Sequence, residues 1–452
     1  MTSDIAGPAS RRPRAVVLVA NPAAPYSRGL RVARSLAAEG YEVEIAAVAG
    51  EGLPEEEHDG EVILRRYRPA GRWLRWTSRP TGPPGIGRKL VFRAHKLASR
   101  IVPAVREHPA PTLDVVRRRV FWPVEPRAWG TALRRDLPPA DLYHACGMLT
   151  IRIALDLGAR ARRAGRLGRV VYDVIDMSLD SNVYRSVSGP VRAFYRWKER
   201  GWVRRADAIV TVNDAIGQRL SRAWRLRAPP IVLMNCQPRW TLPRSRPNLI
   251  REAATIPANR RVVLFLGRLG KERGLDEAAA AILRVPDAAL VLLGFGAWTD
   301  RSRDRDTDPR FAGRHFSLPA VHPDDVPAWA ASADASIIAV PANSLNQRLS
   351  TPNKFWESLT AGTPVVLGRD LEVMRKIVEA DDLGAIADPS DPEDLARALR
   401  EILDRPATER KAMRERCLRV TRERYNWDAA VAAYLVLVRR LIGSHAPADP
   451  KS

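Results

Sequence analysis

The sequence has few cysteines and no long apolar run. Three cysteines, Cys146, Cys236 and Cys417, occur among 452 residues. None belongs to a C-x-x-C pair and their number is odd, which argues against a zinc site of that kind and against a secreted disulfide framework. No stretch of 18 apolar residues could span a bilayer, and residues 1–14 lack the apolar core of a signal peptide. We therefore expect a cytoplasmic protein.

The sequence also lacks the familiar phosphate-binding and nucleic-acid-binding motifs. Its glycine-rich segments do not have the order and spacing of a P-loop, and no G-x-G-x-x-G follows a predicted strand, which disfavours an NAD-dependent enzyme. The net charge of +23 suggests an anionic partner. No helix-turn-helix, zinc finger or RNP pattern accompanies that charge, so no nucleic-acid partner is expected.

Positive charge is concentrated in one segment rich in Trp, Arg and Pro. Between Arg72 and Arg135 there are 15 Lys and Arg residues and three acidic residues, so 15 − 3 = +12 of the net charge lies there. Within this segment, apolar residues from Leu90 to Val105 follow helical spacing and Lys and Arg fill other positions, with Pro103 as an expected kink. Either this helix packs on a sheet with its basic face in solvent, or it lies on an anionic membrane. The aromatic residues that suit a membrane are Trp73, Trp76, Phe92, Trp122 and Trp129.

The rest of the chain alternates short apolar runs with helical patterns, which predicts parallel sheets. The pattern restarts after a Pro- and Arg-rich stretch at 237–247, so we expect two Rossmann-like doubly wound domains facing a cleft. The predicted domains are 1–240, with a basic insertion at 69–138, and 241–428, followed by a returning helix and tail at 429–452. The predicted strands are 15–20, 41–48, 142–146, 169–173 and 208–212 in the first half, and 261–267, 289–294, 335–340, 364–367 and 384–387 in the second.

Three segments of the second half predict a nucleotide site. Gly267-Arg268-Leu-Gly-Lys-Glu-Arg273-Gly lies where a strand gives way to a helix, and arginines there can hold phosphate. The next strand ends in Gly294-Phe-Gly296, which leaves room for a flat base or a ribose. The third segment begins a helix whose first amides favour an anion. In it, Asn353 and Lys354 stand at the start, and Glu357 can accept hydrogen bonds from ribose hydroxyls.

These segments resemble the donor domain of the retaining glycosyltransferases of family 4, which have the GT-B fold. Gly267-Arg268-Leu269 with Arg273-Gly274 is similar to the family's G-R-L-x-x-x-K-G segment, with Arg for Lys. Pro352-Asn-Lys-Phe-Trp-Glu357 and Ala361-Gly-Thr-Pro-Val-Val366 are similar to its signature helix and the following strand. The family's E-x7-E pair is incomplete, because Leu349 stands where many members have the first Glu. The resemblance is strongest from 261 to 435.

The first half resembles the same family more loosely, through Asp141-Leu-Tyr-His144-Ala-Cys146 and Tyr172-Asp173-Val-Ile175-Asp176. There His144 is either a catalytic or acceptor-contacting residue or a buried strand-end histidine. Asp176 either contacts the acceptor or caps a turn. The first loop between a strand and a helix, which includes Asn21, Ser27 and Arg28, either holds a phosphate of the acceptor or only turns the chain; we expect contact with the acceptor.

The resemblance implies transfer of a hexose-type sugar from a nucleoside-diphosphate sugar to a glycan or lipid-linked acceptor, with front-face attack and retention. Arg268, Arg273, Glu357 and His144 are the expected catalytic residues. Gly267, Gly294, Gly296, Asn353 and Lys354, with Glu357, are the expected donor contacts. The strings Asp304-Arg-Asp306 and Asp306-Thr-Asp308 are interpreted as solvated turn residues, so neither a metal nor another cofactor is expected.

Two other functions on the same fold stay open. A sugar-nucleotide epimerase would convert the nucleotide-sugar with no acceptor present. A non-catalytic partner of another transferase would bind the nucleotide-sugar without transferring it. An anionic membrane surface is a further possible partner, which would place the protein at the inner face of the cell membrane.

Overall fold

A computed structural model of the chain describes residues 11–24, 26–70, 124–182 and 189–443. They form two α/β domains, each built on one mainly parallel sheet. The strands of the first domain are β1 (Arg14–Val19), β2 (Glu42–Val48), β3 (Glu56–Asp59), β4 (Val62–Tyr67), β5 (Leu142–Cys146), β6 (Arg169–Val174), β7 (Ala208–Thr211) and β8 (Ile231–Val232). Those of the second are β9 (Arg261–Arg268), β10 (Ala288–Phe295), β11 (His315–Pro319), β12 (Ala335–Ile338), β13 (Val365–Gly368) and β14 (Gly384–Ala387).

Helices cover both faces of each sheet, as buried parallel strands require. In the first domain they are α1 (Ser27–Ala38), α2 (Val124–Asp136), α3 (Met148–Arg163), α4 (Gly189–Val203) and α5 (Asp214–Trp224). In the second they are α6 (Leu249–Ala254), α7 (Leu275–Ile282), α8 (Thr299–Asp306), α9 (Val326–Ala331), α10 (Leu345–Leu349), α11 (Asn353–Thr360), α12 (Glu372–Asp381), α13 (Pro392–Leu403), α14 (Ala407–Glu423) and α15 (Trp427–Ile442).

Both sheets reverse their strand order at one point, and that point locates the cleft. The first sheet has the order β3-β4-β2-β1-β5-β6-β7-β8, and all its pairs are parallel except β3 with β4. The second has the order β11-β10-β9-β12-β13-β14 and is parallel throughout. Ligands of such sheets bind at the carboxyl ends of the strands beside the reversal, here β1 and β5 in one domain and β9 and β12 in the other.

The first sheet extends beyond the predicted strands. A hairpin of β3 and β4 follows β2, and β4 pairs with β2 in parallel. The sequence did not predict it, because Glu56–Asp59 is wholly polar and lies at the edge of the sheet, where exposed and half-buried residues alternate. The short edge strands β8 and β11 were also missed. All ten predicted strands are present, with ends that differ by at most two residues.

The predicted insertion at 69–138 includes part of the first domain's core. Helix α2 packs there, and Trp129 is buried and donates its indole N–H to the carbonyl of Ala47, 3.1 Å away. The assignment of Trp129 to a membrane-facing set is therefore wrong. The predicted amphipathic helix at 88–105, with Trp73, Trp76, Phe92 and Trp122, lies outside the described residues.

The last helix packs on the first domain. Asn426 caps the start of α15, and its side chain accepts a hydrogen bond from the amide of Ala429. Its apolar residues, including Tyr434, Val438 and Ile442, pack in one cluster with strands β1 and β2. The helix ties the end of the described chain to the first sheet. Among the described residues, no helix is both long and apolar enough to cross a membrane.

Candidate active site

The glycine at the end of β9 leaves open space beside the second sheet's reversal point. Gly267 has a φ of +100°, which L side chains rarely adopt. A Cβ placed on Gly267 would lie 3.8 Å from Cε of Lys354, on helix α11. The backbone of β9 therefore faces the start of α11 across a gap with no side chain of its own, where a ligand can approach the peptide groups.

Two arginines follow this glycine. Arg268 is exposed, and Arg273 is half-buried in a short 3-10 helix, Lys271–Arg273. Burial lowers the pKa of Arg273, and the nearby charge of Arg268 lowers it further, while Glu272 and Asp176 raise it. Two guanidinium groups close enough to oppose each other's charge create a positive potential that an anion would relieve.

The third cation, Lys354, is buried and lacks a hydrogen-bond partner. Its Nζ lies 3.8 Å from the ring centroid of Phe265, and no described group bonds to it. Burial and the charge of Arg273 lower the pKa of Lys354 to about 7, with Glu357 opposing that shift. The hydroxyl of Thr351, three residues earlier, is also buried without a partner. Buried polar groups are normally bonded, so this end of α11 has unused capacity for a polar ligand.

Glu357 lies one turn along α11 from Lys354 and is half-buried. Burial raises the pKa of Glu357 to about 7, while Arg31 and then Lys354 act to lower it. Its Oε1 accepts a long hydrogen bond of 3.5 Å from Nε2 of Gln237. The carboxylate has spare acceptor capacity and is held close to its protonation midpoint at neutral pH.

Helix α11 meets helix α1 of the first domain at its first turn. Nδ2 of Asn353 donates to the hydroxyl of Ser27 at 2.8 Å, and Arg31 donates to Oδ1 of Asn353 at 3.2 Å. Arg31 also donates to Asn235 at 2.6 Å and to Gln237 at 3.2 Å. The side chain of Asn353, predicted to bind the donor, therefore joins the two domains, and the predicted acceptor residue Ser27 is its partner.

The glycines that end β10 serve the packing of the chain. A Cβ on Gly294 would lie 1.8 Å from the carbonyl oxygen of Gly267, and one on Gly296 would lie 2.2 Å from that of Leu269. Neither position admits a side chain, because β9 and β10 run too close together. Their glycines are explained by this contact, and direct contact with the donor stays a prediction.

In the first domain, His144 and Arg28 belong to a buried polar network. Arg28 donates two hydrogen bonds to Asp173, at 2.7 and 2.8 Å. Nε2 of His144 lies 3.1 Å from the same carboxylate, and its Nδ1 lies 3.0 Å from the hydroxyl of Tyr434 on α15. The network holds the pKa of Asp173 at about 2 despite burial, chiefly through the charge of Arg28.

These contacts favour a structural role for both residues. His144 and Arg28 are buried and their polar atoms are already bonded. In the described conformation, therefore, an acceptor substrate cannot contact the imidazole or the guanidinium group. Within the described ranges, His144, Asp173 and Cys146 have ligand atoms within 4.8 Å of one another. The paired charge of Arg28 opposes a cation there.

The other predicted acceptor residues lie nearer the surface. Asp176 is exposed after β6 and accepts a hydrogen bond of 2.8 Å from Asn346 of α10, in the second domain. Asn346 also accepts from the amide of Met177 at 2.7 Å. Asn21 is exposed and accepts from the amide of Ala23, which turns the chain after β1. Asp176 therefore borders the cleft.

Two aspartates of the D-x-D strings, Asp306 and Asp308, have structural partners. Residues 304–306 end helix α8, so their interpretation as turn residues is wrong for that part. Asp306 lies 2.7 Å from Nδ1 of His315 and accepts from the amide of Ser317 at 3.0 Å, which fixes α8 to the edge strand β11. Asp308 accepts from the amide of Arg310 and caps the next short 3-10 turn.

Sequence reasoning missed the contributions of Arg31, Asn346 and Gln237. Arg28, Arg31 and Ser35 recur at helical spacing on one face of α1, beside the apolar residues that pack on the sheet. Ser35 accepts from the indole N–H of Trp427 at 2.9 Å. These polar residues were the one feature of the sequence that could have indicated that another part of the chain packs on α1. Gln237 begins the Pro- and Arg-rich stretch between the two predicted domains, and no sequence pattern singled out Asn346.

Comparison with known proteins identifies a domain in the second half. Residues 248–419 match the protein family described as Glycosyl transferases group 1. The chain is 29% identical over 183 residues to the lipopolysaccharide core biosynthesis glycosyltransferase LpsE of Rhizobium meliloti (strain 1021), covering 40% of this chain and 51% of that protein. It is 28% identical over 244 residues to the sulfoquinovosyl transferase SQD2 of Arabidopsis thaliana, covering 50% and 43%. The chain spans about half the length of these relatives.

Solved structures share the whole architecture at low identity. The sucrose-phosphate synthase of Thermosynechococcus elongatus superposes with a TM-score of 0.64 and 18% identity, covering 95% of this chain and 99% of that one. HepE of Anabaena, in complex with UDP-glucose, superposes with a TM-score of 0.61 and 14% identity, covering 95% and 100%. The predicted GT-B fold is confirmed, and residues 248–419 of the second domain are similar to the Glycosyl transferases group 1 family.

Proposed function

We propose that this chain is a retaining glycosyltransferase that moves a hexose-type sugar from a nucleoside-diphosphate sugar to a glycan or lipid-linked acceptor. The observation that carries the proposal is the cationic cluster of Arg268, Arg273 and Lys354 around the open backbone of Gly267. Its two deeper members have a pKa lowered by burial and by their neighbours. An incoming diphosphate would neutralise the cluster and supply the missing partner of Lys354.

The diphosphate gains negative charge as it leaves, so its stabilisation is the main catalytic task. Arg268 ends β9, and Arg273 lies in the 3-10 helix that follows. Lys354 and the first amides of α11 lie across the gap. These groups would lower the barrier by holding the leaving phosphates. Because three cations supply this charge, we propose that the reaction needs no metal and no other cofactor.

Glu357 would accept hydrogen bonds from the ribose hydroxyls of the donor. Its position one turn along α11 from Lys354 suits a nucleoside that extends from the diphosphate along the helix. Retention would follow from attack by the acceptor on the face from which the diphosphate departs, and a departing phosphate oxygen can take the proton. The motif resemblance to family 4 supports this stereochemistry.

The acceptor would approach from the first domain, beside Asp176, Ser27 and Asn21. The similarity to a transferase named for lipopolysaccharide core biosynthesis supports a glycan or lipid-linked acceptor. Such an acceptor is consistent with a cytoplasmic protein at the inner face of a membrane. Closure of the two domains would exclude water and limit hydrolysis of the donor.

A thermal-shift panel with UDP-, GDP-, ADP- and TDP-sugars tests the donor site. We expect one nucleotide class to raise the melting temperature of the wild type, and Arg268→Ala and Glu357→Gln to reduce that rise while remaining folded. A panel in which no nucleotide-sugar stabilises the protein contradicts the proposal. If transfer is found, the anomeric coupling in the proton NMR spectrum of the product tests retention.

Activity measurements separate the two alternatives. An epimerase would change the nucleotide-sugar in the absence of any acceptor. A non-catalytic partner would give the thermal shift but no transfer with any acceptor. The cationic cluster around Gly267 would bind the diphosphate in all three cases, so these assays decide between the functions.

A further inference from the structure

Helix α4 of the first domain exposes two large aromatic side chains. Phe194 is 49% exposed and Trp197 is 65% exposed, and they lie one turn apart on the same side of the helix. Their ring centroids are 5.9 Å apart. Nζ of Lys198 lies 5.4 Å from the ring centroid of Phe194 and 4.8 Å from that of Trp197. We call these three residues the aromatic face.

The charge around the aromatic face is strongly positive. The only acidic residue of α4, Glu199, is buried and accepts a hydrogen bond from the hydroxyl of Tyr172 at 2.7 Å, so it does not face solvent. Arg196 is paired with Asp180. Among the residues that the structure describes, the remaining cations of this region have no carboxylate partner; they are Arg192, Lys198, Arg200, Arg204 and Arg205.

Concave surfaces adjoin the aromatic face on both sides. A groove of about 760 Å³ runs between α2, α3 and α4, with Leu149, Ile153 and Trp202 among its apolar lining and Arg152 and Arg205 among its cations. On the other side, a cavity of about 460 Å³ is lined by residues that include Trp197, Leu179, Leu220 and Trp224. The acidic residues that line these two surfaces already have partners: Asp156 pairs with Arg134, Asp180 with Arg196, and Glu199 with Tyr172. Apolar surface and unpaired cations therefore remain on this side of the first domain.

We propose that this side of the first domain, centred on the aromatic face, binds the surface of an anionic lipid bilayer. Aromatic side chains with an apolar body partition to the level of the lipid headgroups, and neighbouring Lys and Arg are attracted to anionic lipid. A protein partner would be expected to offer acidic side chains as well as apolar ones. Several unpaired cations next to two exposed aromatic rings match a bilayer surface, where lipid phosphates lie in one plane above the apolar interior.

A short turn after β6 connects the proposed membrane-binding side of the first domain to the cleft. Met177, Leu179 and Asp180, which line the 460 Å³ cavity, directly follow β6, and the amide of Met177 bonds to Asn346 of the second domain. A molecule held in the bilayer at α4 would lie next to the mouth of the cleft. If the proposed transfer holds, a membrane-borne acceptor reaches the cleft by this route.

Co-sedimentation with vesicles tests the proposal on the full chain. We expect binding to vesicles of phosphatidylcholine with phosphatidylglycerol, little binding to pure phosphatidylcholine, and weakening at high salt. Phe194→Ser with Trp197→Ser should reduce the partition coefficient roughly tenfold or more, because two apolar side chains no longer leave water. Lys198→Gln should reduce it about fivefold, as expected for one cation near the surface.

The matched control replaces exposed apolar residues elsewhere. Leu167→Ser with Val436→Ser changes side chains that are 41% and 51% exposed and distant in sequence from α4, and it should leave vesicle binding unchanged. Failure of the wild type to bind anionic vesicles overturns the proposal, as does equal binding by the aromatic double variant. So does a demonstration that the aromatic double variant loses self-association or binding of a DNA duplex and nothing else. Thermal shift by the nucleotide-sugar should be the same for all variants, so this result and the donor-site result are separate.

Discussion

Lys354→Met removes the buried cation of the candidate donor site while keeping a side chain of similar length. A charge-assisted hydrogen bond to the diphosphate contributes about 1.5–3 kcal/mol. Its loss should weaken binding of the nucleoside diphosphate roughly 10- to 150-fold. Because Nζ of Lys354 has no partner in the described conformation, the Met variant should be at least as stable as the wild type at neutral pH.

The pH dependence gives an independent readout for the same variant. The pKa of Lys354 is lowered from an ordinary value of 10.5 to about 7, so above pH 7 the free protein must take up a proton to bind the anion. Affinity should therefore fall as the pH rises above 7, by at most about tenfold per unit. Below pH 7, protonation of Glu357, whose pKa is also about 7, should weaken the ribose contact. In a plot of affinity against pH, the variant should lose the fall above pH 7 (the alkaline limb) and keep the fall below pH 7 (the acid limb).

The free energy of unfolding should also depend on the ionisation of Lys354, but it should rise with pH where the donor affinity falls. Between about pH 7 and 10.5 the unfolded chain holds the proton of Lys354 more tightly than the folded chain, so the free energy of unfolding should rise with pH in that window. The Met variant should lack this rise.

Isothermal titration calorimetry and urea unfolding measure both effects, with Lys376→Met, on the exposed side of α12, as the control for charge. Unchanged affinity in Lys354→Met, or an alkaline limb that persists, would refute the reasoning.

The remaining predictions concern one residue each. Arg268→Ala should lower the transfer rate about 100- to 1000-fold with little change in melting temperature, because the side chain is exposed; unfolding of the variant would indicate a structural role instead. Asp173→Asn should lower the free energy of unfolding by about 3–5 kcal/mol in urea, because the buried charge of Arg28 loses its partner; a stable variant contradicts the buried pair. Arg31→Gln should move the acid limb of donor affinity to higher pH, because Arg31 lowers the pKa of Glu357; an unmoved limb would show that Arg31 does not act on the donor site.

The sequence predicted the two sheets well because their central strands are continuous apolar runs. Strands such as Arg261–Arg268 and Leu142–Cys146 are buried on both faces, so composition alone identifies them. The edge strands were not predicted, because they lack such apolar runs. Glu56–Asp59 is polar and exposed, and it is a strand only because β4 offers it a partner.

The residues of the candidate site also fall into two groups: those that a local motif identifies and those whose contacts depend on distant parts of the chain. Arg268 and Lys354 could be named because their motifs fix a strand end and a helix start, and such places bind anions in any sheet of this type. His144 could not be assigned from its motif, since its burial depends on Tyr434 from a helix 290 residues later in the chain. Arg31 likewise reaches α11 only through the packing of two domains, a contact that no local pattern encodes.

A crystal structure of the protein soaked with the nucleotide-sugar that gives the largest thermal shift tests the central claim most directly. The account predicts a diphosphate between the two domains, within hydrogen-bonding distance of Nζ of Lys354 and the guanidinium groups of Arg268 and Arg273, with the ribose on Glu357. Density for the nucleotide at any other place, with Lys354 still unpartnered, would contradict it.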